Sequence, residues 1–560
     1  MSYKKAFAQR FKGNNFKIHL WDDKGYETIN WKCPGYEKCD PSEATHESLM
    51  DGPVKKVYDW DYNNPNIIFN DMTPYQRFLI EKYGTDSTPS TTHKEIFFDI
   101  EIEMGGALTQ EYIKEAPKPV TSIAWYFKQE DKWLALILDP KSQIQSTIKD
   151  NKEIISCESE EVLLMKFIER LRDIDPDILI GWNSDFFDIP YLYSRICRVF
   201  DEEIASYLSP INIIQEAYWD RNQEYKIAGL ECLDLMNLHK KYSWEDEPSY
   251  KLDSIGEKYV GLGKVEFEGN LDDLYKKDIE KYLEYNFRDV EILVELDKKL
   301  NYLTLTKLIS HKGKHNYSEV YTNTRTQDGA ISSFLLDKGI IPPSKDKYSL
   351  VKKNYAGGYL FCPKAGIYKY IFDEDLTSLY PSIIITLNLG RETLVGRIIN
   401  EDDRDNRKGL NNLRSMDPEE SLEIETPNKK RNRIKAKELI NSIVNNHLSI
   451  SANGVMFRTD RKSAMSEVLD GWFQERVIFK GKMKEAYKDK DYTKGEEFHL
   501  LQYTMKILLN STYGALAVPS FRYGNVLLAE ATTLSGQRII CDSALFVNKH
   551  INNLINPLPK

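Results

Sequence analysis

The segment KEIFFDIEIE, residues 94–103, decides the fold of the first half of the chain. Its apolar and acidic side chains alternate, which predicts a β-strand with one face in a core. Residues two apart in a strand point to the same face, so Asp99 and Glu101 would project together while Ile100 enters the core. Two acids on one face of an apolar strand are costly unless a cation balances them. Taken alone, the pair is more typical of a sheet face that is wetted by solvent.

Helix-like and strand-like segments alternate around this strand, which is typical of α/β or α+β proteins. EEVLLMKFIERLRD (160–173) predicts an amphipathic helix, and DILIGWN (177–183) predicts a buried strand. The chain has 560 residues, of which 41% are hydrophobic and 29% charged, so we expect several globular domains rather than a disordered chain. The net charge of −10 excludes a uniformly basic nucleic-acid coat, but it permits a local basic groove.

The cysteines and the apolar runs restrict the class of protein further. Seven cysteines are scattered without a CxxC pair, which disfavours zinc ribbons and redox motifs and fits reduced thiols in a cytoplasm. The start of the chain lacks the apolar core of a signal peptide, and no apolar run approaches the length of a membrane span. We therefore expect a cytoplasmic protein without membrane contact.

Two further segments carry acids in ordered surroundings. In ILIGWNSDFFDIPYLYSR (178–195), Asp188 comes shortly before Pro190 and marks a helix start, where it could serve only as an N-cap. In YLEYNFRDVEIL (282–293), Tyr285 and Asp289 are four residues apart and share a helix face, which is also typical of an ordinary polar stripe.

Together these segments supply four carboxylates from one strand and two helices: Asp99, Glu101, Asp188 and Asp289. Carboxylate oxygens are the ligands that Mg²⁺ prefers. A pair of such ions can activate a water and stabilise the leaving oxygen in phosphodiester hydrolysis. The set predicts a metal-dependent hydrolase site more strongly than any of its members does alone.

The three segments, in this order, resemble the three exonuclease motifs of family B DNA polymerases. The resemblance implies a 3′–5′ proofreading domain of RNase H-like fold with two Mg²⁺ ions, or Mn²⁺, in its site. It also implies that Tyr285 orients the attacking water. Lys264, in GLGKVEF (261–267), matches a lysine of phage members that counters phosphate charge, although an exposed lysine commonly serves solubility alone.

A second group of motifs resembles the polymerase part of the same family. DEDLTSLYPSIIITLNL (373–389) resembles motif A, which implies that Asp375 ends a strand and binds the metal ions of the incoming triphosphate. It also implies that Leu379 and Tyr380 contact the nucleotide, with the tyrosine ring excluding the 2′-hydroxyl of RNA precursors. NYAGGYL (354–360) resembles the YxGG segment, whose residues approach the template strand and would here be Tyr355, Gly357 and Gly358.

Two predicted helices, GWFQERVIFKGKMKEAYK (471–488) and QYTMKILLNSTYGALA (502–517), resemble the fingers and motif B. Arg and Lys presented side by side can clamp a triphosphate, whereas an isolated basic stripe is usually a solvated face. The resemblance implies nucleotide contacts from Arg476, Lys480, Lys506 and Asn510, and DNA contacts from Tyr513 and Gly514.

Composition breaks at residues 83–93, 340–349 and 400–437 suggest the domain boundaries. The last is dense in charge and predicts a solvated insertion. The expected order is an N-terminal domain (1–93), the exonuclease domain (94–301), a connector returning to the N-terminal domain (302–346), the first part of the palm with the insertion (347–462), the fingers (463–519) and a palm stub (520–560). The fold class expected is therefore a multidomain α/β and α+β protein: an RNase H-like exonuclease plus a partial right-hand polymerase without a thumb.

The family's second palm acid pair, motif C, is not found in the 560 residues. The similar strings YGTDS (83–87) and Asp59-Trp60-Asp61 precede the exonuclease motifs and are rejected. The chain could be one half of a split polymerase, a truncated form of a longer protein, or an independent exonuclease. Intact nucleotide-selecting motifs favour the split polymerase, with a second polypeptide that carries the remaining palm, the thumb and the sliding-clamp contact.

The function expected from the resemblance is the N-terminal part of a replicative DNA-directed DNA polymerase in the cytoplasm of a bacterial host. Its partners would be primer-template DNA, single-stranded DNA and deoxynucleoside triphosphates. The alternatives are a stand-alone 3′–5′ exonuclease on single-stranded DNA and a non-catalytic DNA-binding scaffold.

Overall fold

The computed structural model describes residues 2–219, 222–243, 245–345, 355–360, 362, 364–367, 369, 371, 375–399, 416–445 and 447–555. The chain divides into two compact units. The first unit is Met1–Lys32, Pro74–Leu79 and Asp86–Tyr321. The second unit is Cys33–Thr73, Ile80–Thr85 and Thr322–Lys560. The first 93 residues thus contribute to both units, and the six-part domain order expected from the sequence stays a prediction.

Strands and helices occur in both units, which confirms a mixed α/β protein of more than one domain. The strands are β1 (Tyr3–Lys12), β2 (Asn15–Asp22), β3 (Gly25–Lys32), β4 (Gly35–Lys38), β5 (His46–Ser48), β6 (Gly52–Val57), β7 (Ile67–Ile68), β8 (Glu95–Ile102), β9 (Val120–Phe127), β10 (Lys132–Leu138), β11 (Thr147–Lys149), β12 (Lys152–Cys157), β13 (Ile178–Gly181), β14 (Ile214–Trp219), β15 (Asn222–Ile227), β16 (Glu231–Asp234), β17 (Ile340–Ile341), β18 (Leu394–Ile399), β19 (Ser421–Glu425), β20 (Arg431–Lys435), β21 (Leu448–Ile450) and β22 (Val455–Arg458).

The structure has helices at the segments that the sequence predicts to be helical, together with others. They are α1 (Pro74–Tyr83), α2 (Gln110–Glu115), α3 (Glu160–Ile174), α4 (Asp188–Val199), α5 (Glu202–Ser206), α6 (Leu235–Tyr242), α7 (Leu252–Val260), α8 (Leu271–Lys277), α9 (Ile279–Leu300), α10 (Tyr302–Gly313), α11 (Asn323–Asp337), α12 (Leu379–Leu387), α13 (Ala436–Asn445), α14 (Ala464–Lys488), α15 (Tyr492–Leu516) and α16 (Val526–Ile555). Among the described residues, no helix has both the length and the apolar character needed to cross a membrane.

The first unit is built on a seven-stranded sheet in the order β11-β12-β10-β9-β8-β13-β16. Strand β8 is antiparallel to β9 and parallel to β13. Ile96, Phe98 and Ile100 of β8 belong to a buried core that also contains Phe167 of α3. The strand, helix and buried strand predicted around residues 94–183 are therefore confirmed. A smaller sheet, β1-β2-β3, completes the regular strands at the start of this unit.

Helix α9 packs on β8 and β9 of this sheet. It begins where the Asp278 side chain accepts a hydrogen bond from the Lys281 N–H, and it ends at Asn301 in a left-handed conformation. Val290 and Leu293 are buried along the same helix. Their burial fixes which way the neighbouring polar residues point.

The second unit contains two five-stranded sheets, β17-β5-β6-β4-β7 and β20-β19-β18-β22-β21. Helices α14 and α15 are packed against each other as a long pair, which confirms the two helices predicted from residues 471–488 and 502–517. The Ser463 side chain caps the first of them by accepting from the Ser466 N–H.

Part of the charge-rich stretch differs from the solvated insertion that the sequence predicts. Residues 400–415 lie outside the described residues, but β19, β20 and α13 follow with regular structure. Leu422, Ala436 and Leu439 are buried in one apolar cluster. The apolar side chains alternate with Glu and Arg residues, so the density of charge in the sequence conceals a strand pattern.

Arg522, in the FRYGN segment (521–525), is fully buried in the second unit. Its guanidinium donates to Asp328 Oδ1 at 2.6 Å and to the Pro343 carbonyl at 2.6 Å, and it pairs with Asp71 Oδ1 at 2.7 Å. One side chain therefore joins four separate segments of the second unit. Sequence reasoning did not single out this residue.

Candidate active site

Three carboxylates of the first unit converge. Oxygen atoms of Asp99, Glu101 and Asp289 all lie within 4.8 Å of one another. The two residues of β8 share a face because they are two apart, and α9 brings the third acid over that face. The structure thus brings together three of the four acids that the sequence grouped.

Burial is the main cause that makes these acids hard to ionise. It raises the pKa of Glu101 to about 8, and the negative charge of Asp289 adds to the effect. Burial, followed by the charges of Asp289 and Glu101, raises the pKa of Asp99 well above its usual range. The pKa of Asp289 is also raised by burial, although the nearby Lys264 opposes this. The cluster is short of positive charge when all its acids are ionised.

The chemistry of the cluster fits a hard divalent cation. Asp289 Oδ1 is buried and has no hydrogen-bond partner within the ranges that the structure describes. A buried carboxylate oxygen without a donor is costly unless a cation or water satisfies it. Carboxylate oxygens alone make up the donor set, which suits Mg²⁺ or Mn²⁺ rather than a softer metal.

Lys264 links the cluster to Tyr285. Its ammonium group is ion-paired with Asp289 Oδ2 and donates to the Tyr285 hydroxyl at 2.9 Å. Burial lowers the pKa of Lys264, but Asp289 and Tyr285 outweigh this and raise the pKa above its usual value, so the side chain stays charged. Burial raises the pKa of Tyr285, so its phenol stays protonated. Because the hydroxyl oxygen accepts from Lys264, its own proton is available to another acceptor.

Asp188 lies beside the cluster rather than within its closest group. It is the first residue of α4, whose N-cap position is Phe187, so Asp188 is not the N-cap that the sequence left open. The Ile100 N–H donates to Asp188 Oδ1 at 3.3 Å, which ties α4 to β8. Burial raises the pKa of Asp188 to about 7.

Asn286 of α9 is a polar neighbour of the cluster that sequence reasoning missed. Its side-chain Nδ2 donates to Asp99 Oδ2 at 2.8 Å, and its Oδ1 accepts from the Ser122 hydroxyl at 2.7 Å. The available signal was its helical position, since it follows Tyr282 by four residues on the buried face of α9.

A second group of predicted residues gathers in the second unit. Arg476 donates to the Ser378 hydroxyl at 2.8 Å, and its buried Nε has no hydrogen-bond partner in the described portion of the chain. Burial, followed by the positive charges of Arg476 and Lys480, lowers the pKa of Lys506, whereas the charge of Asp375 opposes this. Asp375 is exposed and lies in irregular backbone. The strand predicted to precede it falls on residues 372–374, which lie outside the described residues.

Aromatic rings and glycines surround Tyr380 in the second unit. The rings of Tyr380 and Tyr513 lie 4.4 Å apart, and the side chains of Tyr513 and Tyr355 are hydrogen-bonded. A Cβ atom on Gly358 would stand 3.1 Å from the Tyr380 hydroxyl, and one on Gly536 would stand 3.0 Å from its ring. The ring is therefore confined on several sides, one of them supplied by α16, which the sequence did not implicate.

For the remaining predicted residues of the second unit, the described part of the chain shows no contact that assigns a role. Gly357 accepts a hydrogen bond on its carbonyl from Gln537 at 2.6 Å. Leu379 is half-buried at the start of α12, while Lys480, Asn510 and Gly514 are exposed on α14 and α15. Their assignments to nucleotide or DNA stay predictions.

Comparison with known proteins finds two family models that match the chain. A family model described as the exonuclease domain of DNA polymerase family B matches residues 69–255, and the model of DNA polymerase family B matches residues 318–559. The chain belongs to DNA polymerase family B. The exonuclease match contains Asp99, Glu101 and Asp188, and the polymerase match contains Asp375 and helices α14 and α15.

Three relatives illustrate the similarity. The DNA-directed DNA polymerase of Escherichia phage RB69 is 28% identical over 469 residues, covering 74% of this chain and 48% of its own length. That of Enterobacteria phage T4 is 27% identical over 457 residues, with the same coverage of 74% and 48%. DNA polymerase 1 of Saccharolobus solfataricus is 29% identical over 331 residues, covering 54% of this chain and 35% of its own. The chain spans about half the length of the two phage relatives.

Proposed function

We propose that the chain carries the 3′–5′ proofreading exonuclease and the nucleotide-selecting part of a replicative DNA-directed DNA polymerase. The observation that supports it most is the group formed by the half-buried Asp99 and Glu101 and the buried Asp289, with Lys264 bound to its edge. In the proposal, single-stranded DNA and the frayed 3′ end of primer-template DNA are the substrates of this group. An RNase H-like topology for the first unit is part of the same proposal.

The residues of the first unit suit phosphodiester hydrolysis. Mg²⁺ or Mn²⁺, bound by these acids and by Asp188, would supply the positive charge that activates water and stabilises the leaving oxygen. Lys264 would counter the charge of the scissile phosphate from the side of Asp289. The Tyr285 hydroxyl, which accepts from Lys264 and keeps its own proton, would orient the attacking water.

The residues of the second unit suit a deoxynucleoside triphosphate. Arg476 has a buried Nε without a hydrogen-bond partner among the described residues, and its guanidinium contacts Ser378. The charges of Arg476, Lys480 and Asp375 all affect the pKa of Lys506. An Arg fork beside a Lys point charge is a common way to hold a triphosphate. In the proposal, Asp375 contributes to the metal site for this triphosphate, and the confined ring of Tyr380 excludes a 2′-hydroxyl.

Template-directed synthesis would also use the portion of the relatives that this chain does not span. That portion would supply the second palm carboxylates, the thumb and the contact to a sliding clamp. In the proposal it is carried by a second polypeptide, and the complex works in the cytoplasm of a bacterial host. The match over residues 318–559 and the ring contacts of Tyr380 favour a polymerase over a stand-alone exonuclease.

The first test incubates the purified chain with Mg²⁺, a labelled primer on a template and all four deoxynucleotides. We expect shortening of the primer without extension. Asp289→Asn and Asp188→Ala should abolish the shortening, whereas Asp375→Asn should leave it intact. Shortening that persists in both exonuclease variants would disprove the assigned site. Extension by the chain alone would disprove the need for a second polypeptide.

A further inference from the structure

Asn286 is a carboxamide buried inside the packing of α9 on the central sheet of the first unit. It is fully buried, and so is Ser122 of β9 beneath it. A buried amide in apolar surroundings is costly unless both of its ends are hydrogen-bonded. The position is therefore maintained by specific partners rather than by general packing.

Both ends of the Asn286 side chain are satisfied. Ser122 donates its hydroxyl proton to Asn286 Oδ1 at 2.7 Å, which leaves the NH₂ group turned towards Asp99. That group donates to Asp99 Oδ2 at 2.8 Å. Ser122 is paired directly opposite Glu101 in the antiparallel register of β8 and β9. The hydrogen-bonded chain Ser122–Asn286–Asp99 thus joins β9 to β8 and α9, the strand and the helix that carry the clustered carboxylates.

We propose that Asn286 is a positioning residue for the divalent cation of the exonuclease site, acting through Asp99. The N–H bond fixes one carboxylate oxygen of Asp99 and prevents rotation of the carboxylate plane. Asp99 would then hold the cation together with Glu101 and Asp289, whose carboxylate oxygens lie within 4.8 Å of one another and of an Asp99 oxygen. This inference rests on the proposed exonuclease function.

The residue type supports this role. An ionised carboxylate can only accept hydrogen bonds, so its partner must donate. An aspartate at position 286 would add a negative charge to a cluster that already holds several buried acids. Asparagine offers a neutral donor to Asp99 and an acceptor to Ser122 at the same time. Groups of this kind, which hold a metal ligand from behind, typically change metal affinity by about 10- to 100-fold when removed.

The test measures Mn²⁺ binding to the full chain by calorimetry, together with 3′ trimming. Asn286→Leu keeps the branched arrangement of four side-chain heavy atoms and removes both hydrogen bonds, so we expect the dissociation constant for Mn²⁺ to rise by about 10- to 100-fold. Trimming by this variant should recover in part as Mn²⁺ is raised. Ser122→Ala removes only the hydrogen bond to Asn286 Oδ1 and leaves the bond to Asp99 in place. The dissociation constant for Mn²⁺ should therefore rise by less than in Asn286→Leu.

Tyr282→Phe is the matched control, since Tyr282 lies one turn earlier on α9 and bonds Thr121 at 2.6 Å rather than a carboxylate. Its Mn²⁺ affinity should equal that of the wild type. Equal affinity in Asn286→Leu and the wild type would overturn the inference while leaving the exonuclease assignment intact. If circular dichroism shows that Asn286→Leu is unfolded, Ser122→Ala decides, and an unchanged constant there overturns the inference. A wild-type chain that neither binds Mn²⁺ nor trims DNA would overturn the proposed function as well.

Discussion

Lys264 contacts both Asp289, the proposed metal ligand, and Tyr285, the residue proposed to orient the attacking water. Its ammonium is ion-paired with Asp289 and hydrogen-bonded to Tyr285. Removing it should therefore leave Asp289 without its ion pair and the Tyr285 hydroxyl without its donor. We expect Lys264→Met to lower the rate of 3′ trimming by about 10- to 100-fold, the range seen when groups behind metal ligands are removed. Single-turnover cleavage of a labelled single strand measures this.

Lys258→Met is the control for that prediction. Lys258 also forms ion pairs in the first unit, at 2.9 Å with Glu247 and 3.0 Å with Glu245, but it contacts none of the clustered acids. Its variant should cleave at the wild-type rate. Equal losses in the two variants would mean that Lys264 contributes only general stability.

The raised pKa values of the clustered acids predict a pH dependence for metal binding. Glu101, with a pKa of about 8, and Asp188, with a pKa of about 7, hold protons below these values, and a cation must displace them. Mg²⁺ affinity should therefore increase between about pH 6 and about pH 9. Titration calorimetry in buffers of different ionisation enthalpy should detect proton release at the lower pH and little at the higher.

The same acids affect stability with a definite sign. A carboxyl group whose pKa is raised on folding stabilises the folded state at low pH, and this contribution is lost as the pH rises through the raised value. The metal-free first unit should thus lose stability towards about pH 8, and Mg²⁺ should raise its melting temperature more at high pH than at low pH. A larger increase at low pH would contradict the pKa assignments.

At the scale of elements, the contact between α7 and α9 holds the Lys264 loop next to its acids. Gly256 of α7 allows this approach, because a Cβ atom there would stand 2.5 Å from the Leu262 carbonyl and 2.8 Å from Ile292. We expect Gly256→Ala to destabilise the first unit by about 1–3 kcal/mol, as overpacking usually does, and to weaken trimming. Urea unfolding of the variant measures the change.

Gly481 provides the opposite case on α14. Among the described residues, no heavy atom lies within 4 Å of the position that a Cβ atom of residue 481 would occupy. Gly481→Ala should stabilise the second unit by about 0.5–1 kcal/mol through helix propensity alone. Destabilisation by both alanines would indicate that the packing of α7 on α9 is not the cause of the first effect.

The elements that sequence reasoning predicted are those whose signal is local. Period-two alternation placed Asp99 and Glu101 on one face of β8, and a spacing of four placed Tyr285 and Asp289 on one face of α9. Asn286 and Arg522 were missed because their partners are about 190 residues away in the chain, at Asp99 and Asp328. Local pattern cannot report such pairings. Strands β19 and β20 were missed for a different reason: they pair with each other within residues 421–435, but the many charged residues conceal the alternation of their apolar side chains.

At the scale of the whole molecule, each unit has its own buried core, and cores of this kind commonly unfold separately. We therefore expect calorimetry to resolve two unfolding transitions. Mg²⁺ should raise the transition temperature of the first unit, because that unit contains the cluster of Asp99, Glu101 and Asp289.

Arg522→Met should lower only the other transition. The variant leaves Asp328 and Asp71 without their buried partner, and breaking a buried pair in this way typically costs about 3–5 kcal/mol. Arg458→Met is the control in the same unit, since Arg458 forms an exposed pair with Asp460 and should matter by less than about 1 kcal/mol. A single transition that responds to both Mg²⁺ and Arg522→Met would mean that the two units unfold as one. In that case metal bound at the clustered acids of the first unit would also stabilise the residues proposed to hold the nucleotide.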